Sequence, residues 1–189
     1  MIKMGADMRG EKGFTLAEML VAMVVAGLVM TATYATYMTQ TRAYKTNEEV
    51  TALQQNLRAA MYFLERDLRM AGYNPTVSRT VRFGFTTVDA TTVTFTTDLN
   101  ENGVLDGTET ITYSHNATDN TLRRDAGAGA QILASNITEV TLSYFDENGA
   151  STGSANAVRA VEITLTARTD DDKHGRTLTN RVRCRNMGL

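Results

Sequence analysis

Apolar residues follow three different rules along this chain. From Met19 to Thr41 no charged residue appears, and these 23 positions would span about 34 Å as a helix, against a hydrocarbon core of about 30 Å. One membrane crossing fits that length. From Arg42 the chain turns polar, and apolar residues fall at Val50, Leu53, Leu57, Ala60, Leu64 and Leu68, a helical spacing with one narrow stripe. No Gly or Pro lies between Gly27 and Gly72, so both stretches belong to one helix from about Thr15 to Ala71, ended by Gly72 as a left-handed cap and Pro75 beyond it.

Past Pro75 the pattern becomes alternation of β-branched and polar residues. VRFGFTTV, TTVTFTTD, ETITYSH, EVTLSYF, AVRAVEITLTAR and RTLTNRVRCR read as strands, separated by turn material such as DENG at 146–149 and DDDKHG at 170–175. GAGAQILASN at 127–136 reads as an irregular connection with at most a turn of helix. Strands so closely spaced leave no room for crossover helices, which predicts an antiparallel sheet packed on the dry stripe of the helix. The expected fold is α+β in four segments: a head at 1–13, a membrane half of the helix at 14–41, an amphipathic half at 42–73, and an extracytoplasmic β-rich domain at 74–189.

Composition narrows this picture. The chain has 189 residues, a net charge of −2 and a single cysteine, Cys184, so an intrachain disulfide is excluded. No basic stripe argues for nucleic acid as a partner. Lys3, Arg9 and Lys12 precede the apolar run, which by the positive-inside tendency leaves the N-terminus cytoplasmic and sends the bulk of the chain outward. An ordinary secretory signal is the alternative, but its apolar core is about 7 to 15 residues long, and TATYATYMTQ lacks a clean small-residue cleavage site. His115 and His174 sit in or beside turns with no nucleophile, metal or phosphate-loop signature around them, so no enzymatic site is expected.

Glu18 is the anomaly in this pattern. A carboxylate inside a bilayer helix costs roughly 2.5 to 3.5 kcal/mol, so Glu18 needs either a partner or a boundary position. Its surroundings, GFTLAEMLVAM at 13–23, resemble the signal of type IV pilins and pseudopilins: a charged leader ending in Gly13, then Phe14, a carboxylate at the fifth position and a long apolar helix. FLERDLRMAGYNP at 63–75 and NITEVTLSYFDENG at 136–149 are similar to minor pilins of the PilW kind, relatives of the J-type pseudopilin of type II secretion.

The resemblance implies a pilin fold, cleavage after Gly13 by a prepilin peptidase, and N-methylation of Phe14. It further implies a minor pilin helping to initiate the fibre in a tip complex, partnered by other minor pilins and the major pilin through their N-terminal helices, in the bacterial inner membrane and then the pilus or pseudopilus. Cleavage would leave Glu18 four residues from the membrane boundary. On assembly it would pair with the amine of Phe14 on a neighbour, an attraction of about 4 kcal/mol at 4 Å and an effective dielectric near 20, before desolvation. Such a pair would fix register as one polar residue does in a coiled coil. An unpaired, snorkelling Glu18 is the alternative. The 13-residue leader is long for the commonest class, and a start at Met8 would shorten it. The lack of a helix proline and of a C-terminal disulfide loop suits a low-abundance subunit. A type II secretion pseudopilin is the nearest alternative function, and a membrane-tethered binding or adhesin domain is the alternative of another class.

DLNENGVLDGTE at 98–109 fits the twelve-residue calcium-loop template without a gap. Asp98, Asn100 and Asn102 would offer side-chain oxygens, Gly103 the sharp turn, Val104 its carbonyl, Asp106 a contact through water, and Glu109 a bidentate carboxylate, with Leu105 tucked inward. Calcium is therefore the expected cofactor, in a hairpin loop and not between helices; a metal-free Asn/Gly turn is the other reading. The sequons at Asn116 and Asn136 and the Asp170, Asp171 and Asp172 run read as ordinary surface; the alternating Arg181, Arg183 and Arg185 read as a solvated face, with a subunit contact as the other reading. Cys184 reads as a buried strand residue.

Overall fold

The computed structural model describes residues 13–76, 81–169, 171 and 173–187. The leader residues Lys3, Met8, Arg9 and Lys12, and Asp170 and Asp172 of the acidic run, lie outside the described residues. The chain divides into two compact units, Met1–Asn47 and Glu48–Leu189.

Helix α1 runs Leu16–Met70. Within the first unit its described residues include none that is buried, and an 18-residue window with mean hydropathy 2.0 makes it long and apolar enough to cross a membrane. Five threonines in this stretch turn their hydroxyls back onto the helix: Thr31 donates to the Gly27 carbonyl, Thr33 to Val29, Thr36 to Ala32, Thr39 to Ala35 and Thr41 to Tyr37, at 2.8 to 3.0 Å. Hydroxyls satisfied inside their own helix need no water, which is what a hydrocarbon environment demands.

The second unit contains the core. Leu53, Leu57, Ala60, Met61, Leu64 and Leu68 are buried on the inner stripe of α1, while Val50 is only half-buried at its start. Each such side chain contributes about 1.5 to 3 kcal/mol when fully buried. The helix ends as its sequence dictates: Gly72 adopts φ 78° and its N–H goes to the Thr96 carbonyl at 3.0 Å, which closes the cap against the sheet.

Among the described residues eight strands follow, all paired antiparallel: β1 Phe85–Val88, β2 Thr92–Thr96, β3 Thr110–Asn116, β4 Thr121–Asp125, β5 Gln131–Ala134, β6 Ile137–Phe145, β7 Ala160–Arg168 and β8 Gly175–Arg183. They form two sheets, a five-stranded meander β1 to β5 and a three-stranded one in the order β6-β7-β8. In β7 the alternation is regular: Val161, Ile163, Leu165 and Ala167 are buried and their neighbours half-buried or exposed. Helix stripe and both sheets share one core, with Phe95, Tyr113, Leu122 and Ile163 at its centre.

Two strand expectations need correction. The stretch 127–136 is not an irregular connection throughout: Gln131–Ala134 form β5, after a turn in which Asp125 Oδ1 accepts from Gly127 N at 2.9 Å and Gly129 N at 3.1 Å. Strand β4, TLRRD, ends in three charged residues that hide it from any alternation of apolar and polar positions; Leu122 nevertheless buries in the core and Arg124 reaches an inward acid.

Candidate functional site

At the N-terminal junction Gly13, Phe14 and Thr15 precede the helix, and Phe14 is 88% exposed. Thr15 caps α1 and Glu18 occupies the third helical position. Glu18 Oε2 accepts from Thr15 N at 2.9 Å and from Thr15 Oγ1 at 3.0 Å, while Glu18 N donates to Thr15 Oγ1 at 3.3 Å. This is a capping box, whose T-x-x-E spacing stands in the sequence at Thr15 and Glu18. A carboxylate in the first helical turn also complements the partial positive charge of the helix start. Glu18 therefore has a local role in its own chain besides any role between chains. From Phe14 to Met30 every large apolar side chain is more than half exposed, a surface that only lipid or other apolar helices would cover.

The 98–109 segment closes the β2–β3 hairpin. Thr97 N donates to the Glu109 carbonyl at 3.0 Å and Asp98 N to the Tyr73 carbonyl at 2.8 Å, which ties the loop base to the end of α1. Asp98 and Glu109 are both buried, and among the described residues neither pairs with a cation. Backbone donors compensate instead. Asp98 accepts from Asn102 N at 3.2 Å and Gly103 N at 2.9 Å; Glu109 accepts from Leu99 N at 2.9 Å, Asn100 N at 3.3 Å and Asp106 N at 2.9 Å. Gly103 takes φ 70°, the sharp turn its position requires.

The remaining ligand candidates close on one another. Asn100 and Asn102 donate side-chain N–H to Asp106 Oδ2 at 2.7 and 3.0 Å, and Val104 N donates to Asn102 Oδ1 at 2.7 Å. Leu105 is 42% exposed and not tucked inward, because a loop flanked by strands lacks the helix pair that would cover that position. Among the described residues no three His, Cys, Asp or Glu side chains converge as a metal cluster. The oxygen set of the template depends on Asn side chains and a carbonyl as well as acids, which is the donor chemistry of a hard cation such as calcium.

Other reactive side chains have structural partners. His115 Nε2 lies 2.7 Å from the Ile137 carbonyl. Cys184 is buried directly after β8, and that burial pushes its thiol up to about 12, far from a nucleophile at neutral pH. Asp171 pairs with Lys173 at 2.8 Å, as a solvated turn. A polar cluster beside the core joins Asp67 of α1 to Tyr113 of β3 and Arg124 of β4, at 2.8 and 2.7 Å, and nothing in the spacing of these three residues announces it.

The methylation junction and the β-domain each match a known family. Residues 8–34 match the prokaryotic N-terminal methylation motif, and residues 46–184 match prepilin peptidase-dependent protein B. No curated protein matches the chain. Families of this kind consist of structural subunits, and dependence on prepilin peptidase supports processing by that enzyme. The second match spans most of the chain and covers its whole core, so the chain belongs to the prepilin peptidase-dependent protein B family, a type IV pilin-like family of minor pilins.

Proposed function

We propose that this chain is a minor pilin that helps initiate a type IV fibre in a complex with other minor pilins. Prepilin peptidase would cut after Gly13, Phe14 would be N-methylated, and the helix would hold the subunit in the inner membrane with its N-terminus cytoplasmic until assembly. The observation that supports this most is an apolar helical half without one buried residue, whose only charge between Phe14 and Thr41 is Glu18. In the lone subunit Glu18 completes the cap of its own helix; in the fibre its charge would face the amine of Phe14 on a neighbour.

Two variants separate these roles. Glu18→Gln retains an oxygen that accepts from Thr15 N, but has no charge for the amine; Glu18→Ala loses both. If the charge sets register, both variants are cleaved after Gly13 yet enter fibres at least roughly tenfold less than the parent, as expected for loss of even part of the pair. Immunoblots of sheared fibres, with mass spectrometry of the mature N-terminus, read this out. Normal incorporation of Glu18→Gln beside failure of Glu18→Ala would leave the cap as the sole role of Glu18 and end the register proposal.

We also infer that the 98–109 loop takes calcium, through Asp98, Asn100, Asn102, the Val104 carbonyl, Asp106 and Glu109. Two buried carboxylates without a cation support this, since burying such groups is costly even with backbone donors around them. With only three acids, affinity falls near the extracellular range of about 0.1 to 1 mM. At 100 times the dissociation constant the detergent-solubilised chain gains about 2.7 kcal/mol in calcium relative to chelator. An equal response in the Asp98→Ala plus Glu109→Ala variant, or none in the parent, would refute the site.

A further inference from the structure

At the end of the three-stranded sheet, where β6 finishes and β7 begins, a cleft of about 530 Å³ opens among Arg159, Arg181, Arg183 and Met187, with the 146–149 turn on its rim. Its floor is open because the middle strand offers only Ala160, opposite Phe145 on one side and Arg183 on the other. Arg181 stands opposite Glu162 in the ladder, the obvious partner for its charge. Its guanidinium instead lies over the Phe145 ring, with Cζ 3.8 Å from the centroid. Arg159 is held from behind as well, with Nη1 donating to the Asn156 and Val158 carbonyls at 2.9 Å. None of the three arginines takes part in an ion pair among the described residues.

Among the described residues the rim acid Asp146 makes no ion pair with them; its Oδ1 accepts from Asn148 N and Ala150 N at 2.9 Å each. Two guanidinium groups are thus fixed in place while part of their donor set remains free, which is the preorganisation that bidentate recognition of a planar carboxylate uses. Asp146 and Glu147 at the rim and Glu162 opposite Arg181 disfavour a polyanion. Ala160 and Met187 in its lining supply apolar contact for the stem of a side chain. We propose that this cleft binds an acidic side chain presented by another protein chain, independently of how the N-terminal helices assemble.

The test uses the full chain in detergent, with arginine Nε–Hε signals followed by NMR during titration with an acetylated peptide, Gly-Glu-Phe-Glu-Gly. Saturable shifts of the Arg159 and Arg181 signals are expected. Binding should weaken at least roughly tenfold when the peptide glutamates become glutamines, and likewise in Arg181→Gln and Arg181→Lys, because lysine keeps the charge but loses the fork and the stacking. Equal binding of the acidic and amide peptides, or of parent and Arg181→Gln protein, overturns the proposal. So does stronger binding of inorganic phosphate or of phosphatidylglycerol vesicles than of the peptide, which would assign the cleft to phosphate or lipid.

Discussion

Asp67 is 8% exposed on the inner stripe of α1, and one of its oxygens accepts from both Tyr113 Oη and Arg124 Nε. A charged residue on a dry stripe looks like an error in the pattern until the sheet supplies both donors. Truncation to Asp67→Ala strands a buried hydroxyl and a guanidinium; because Arg124 is about a third exposed, the loss should be near 2 to 3 kcal/mol and not the full buried-pair figure. Tyr113→Phe removes one bond and leaves the ion pair, at about 1 kcal/mol. Their double variant should lose less than the sum, which denaturant titration of the three variants measures. The same residue gives a pH signature. Burial, with the Asp67 carboxylate beside it, raises the Tyr113 hydroxyl well above its ordinary value of 10.0. Above that value the unfolded chain loses a proton that the folded one keeps, so stability falls as pH rises past 10, and Tyr113→Phe should lose less of it between pH 9 and 11.

Elements were legible wherever one periodicity ran long enough. The helix read as Thr15 to Ala71 is Leu16–Met70, because an uninterrupted stripe and a glycine cap leave little choice at either end. Strands β1, β2, β3, β6, β7 and β8 were visible as alternation. Strands β4 and β5 were not, since one carries two arginines in succession and the other follows glycines; their register comes from the neighbouring strand and not from their own pattern. Nor does alternation say where one sheet ends, and the single sheet expected is two. At the sites the same limit applies. The spacing around Gly13, Phe14 and Glu18 carried the family, but the capping box was hidden behind the more conspicuous question of a charge in an apolar run. The arginine cleft depends on Arg159 arriving from a different strand end than Arg181, a juxtaposition that only the fold makes.

The molecule as a whole divides its stabilising contacts unevenly. Among the described residues the buried apolar ones lie from Leu53 to Cys184, within the second unit, and those of the first unit contribute none. The described residues of the first unit include large apolar side chains and no buried one, so their favourable burial must come from lipid or from other helices. The second has a helix stripe, two sheets and the Asp67 cluster, and needs nothing from the first to complete them. A fragment of residues 48–189 should therefore remain soluble without detergent, give a strand-dominated circular dichroism spectrum, and unfold in one cooperative transition. Its midpoint should lie within a few degrees of that of the full chain in detergent, a shift corresponding to about 1 kcal/mol or less. Residues 48 to about 52 will fray, since the buried stripe begins at Leu53 and a helix start without its preceding turns lacks a cap. A fragment that aggregates, or melts without a transition, would mean that the membrane half is required for folding and not only for anchoring. The cooperative outcome would instead separate the two tasks physically, one unit folding by its own core and the other held for lipid and assembly.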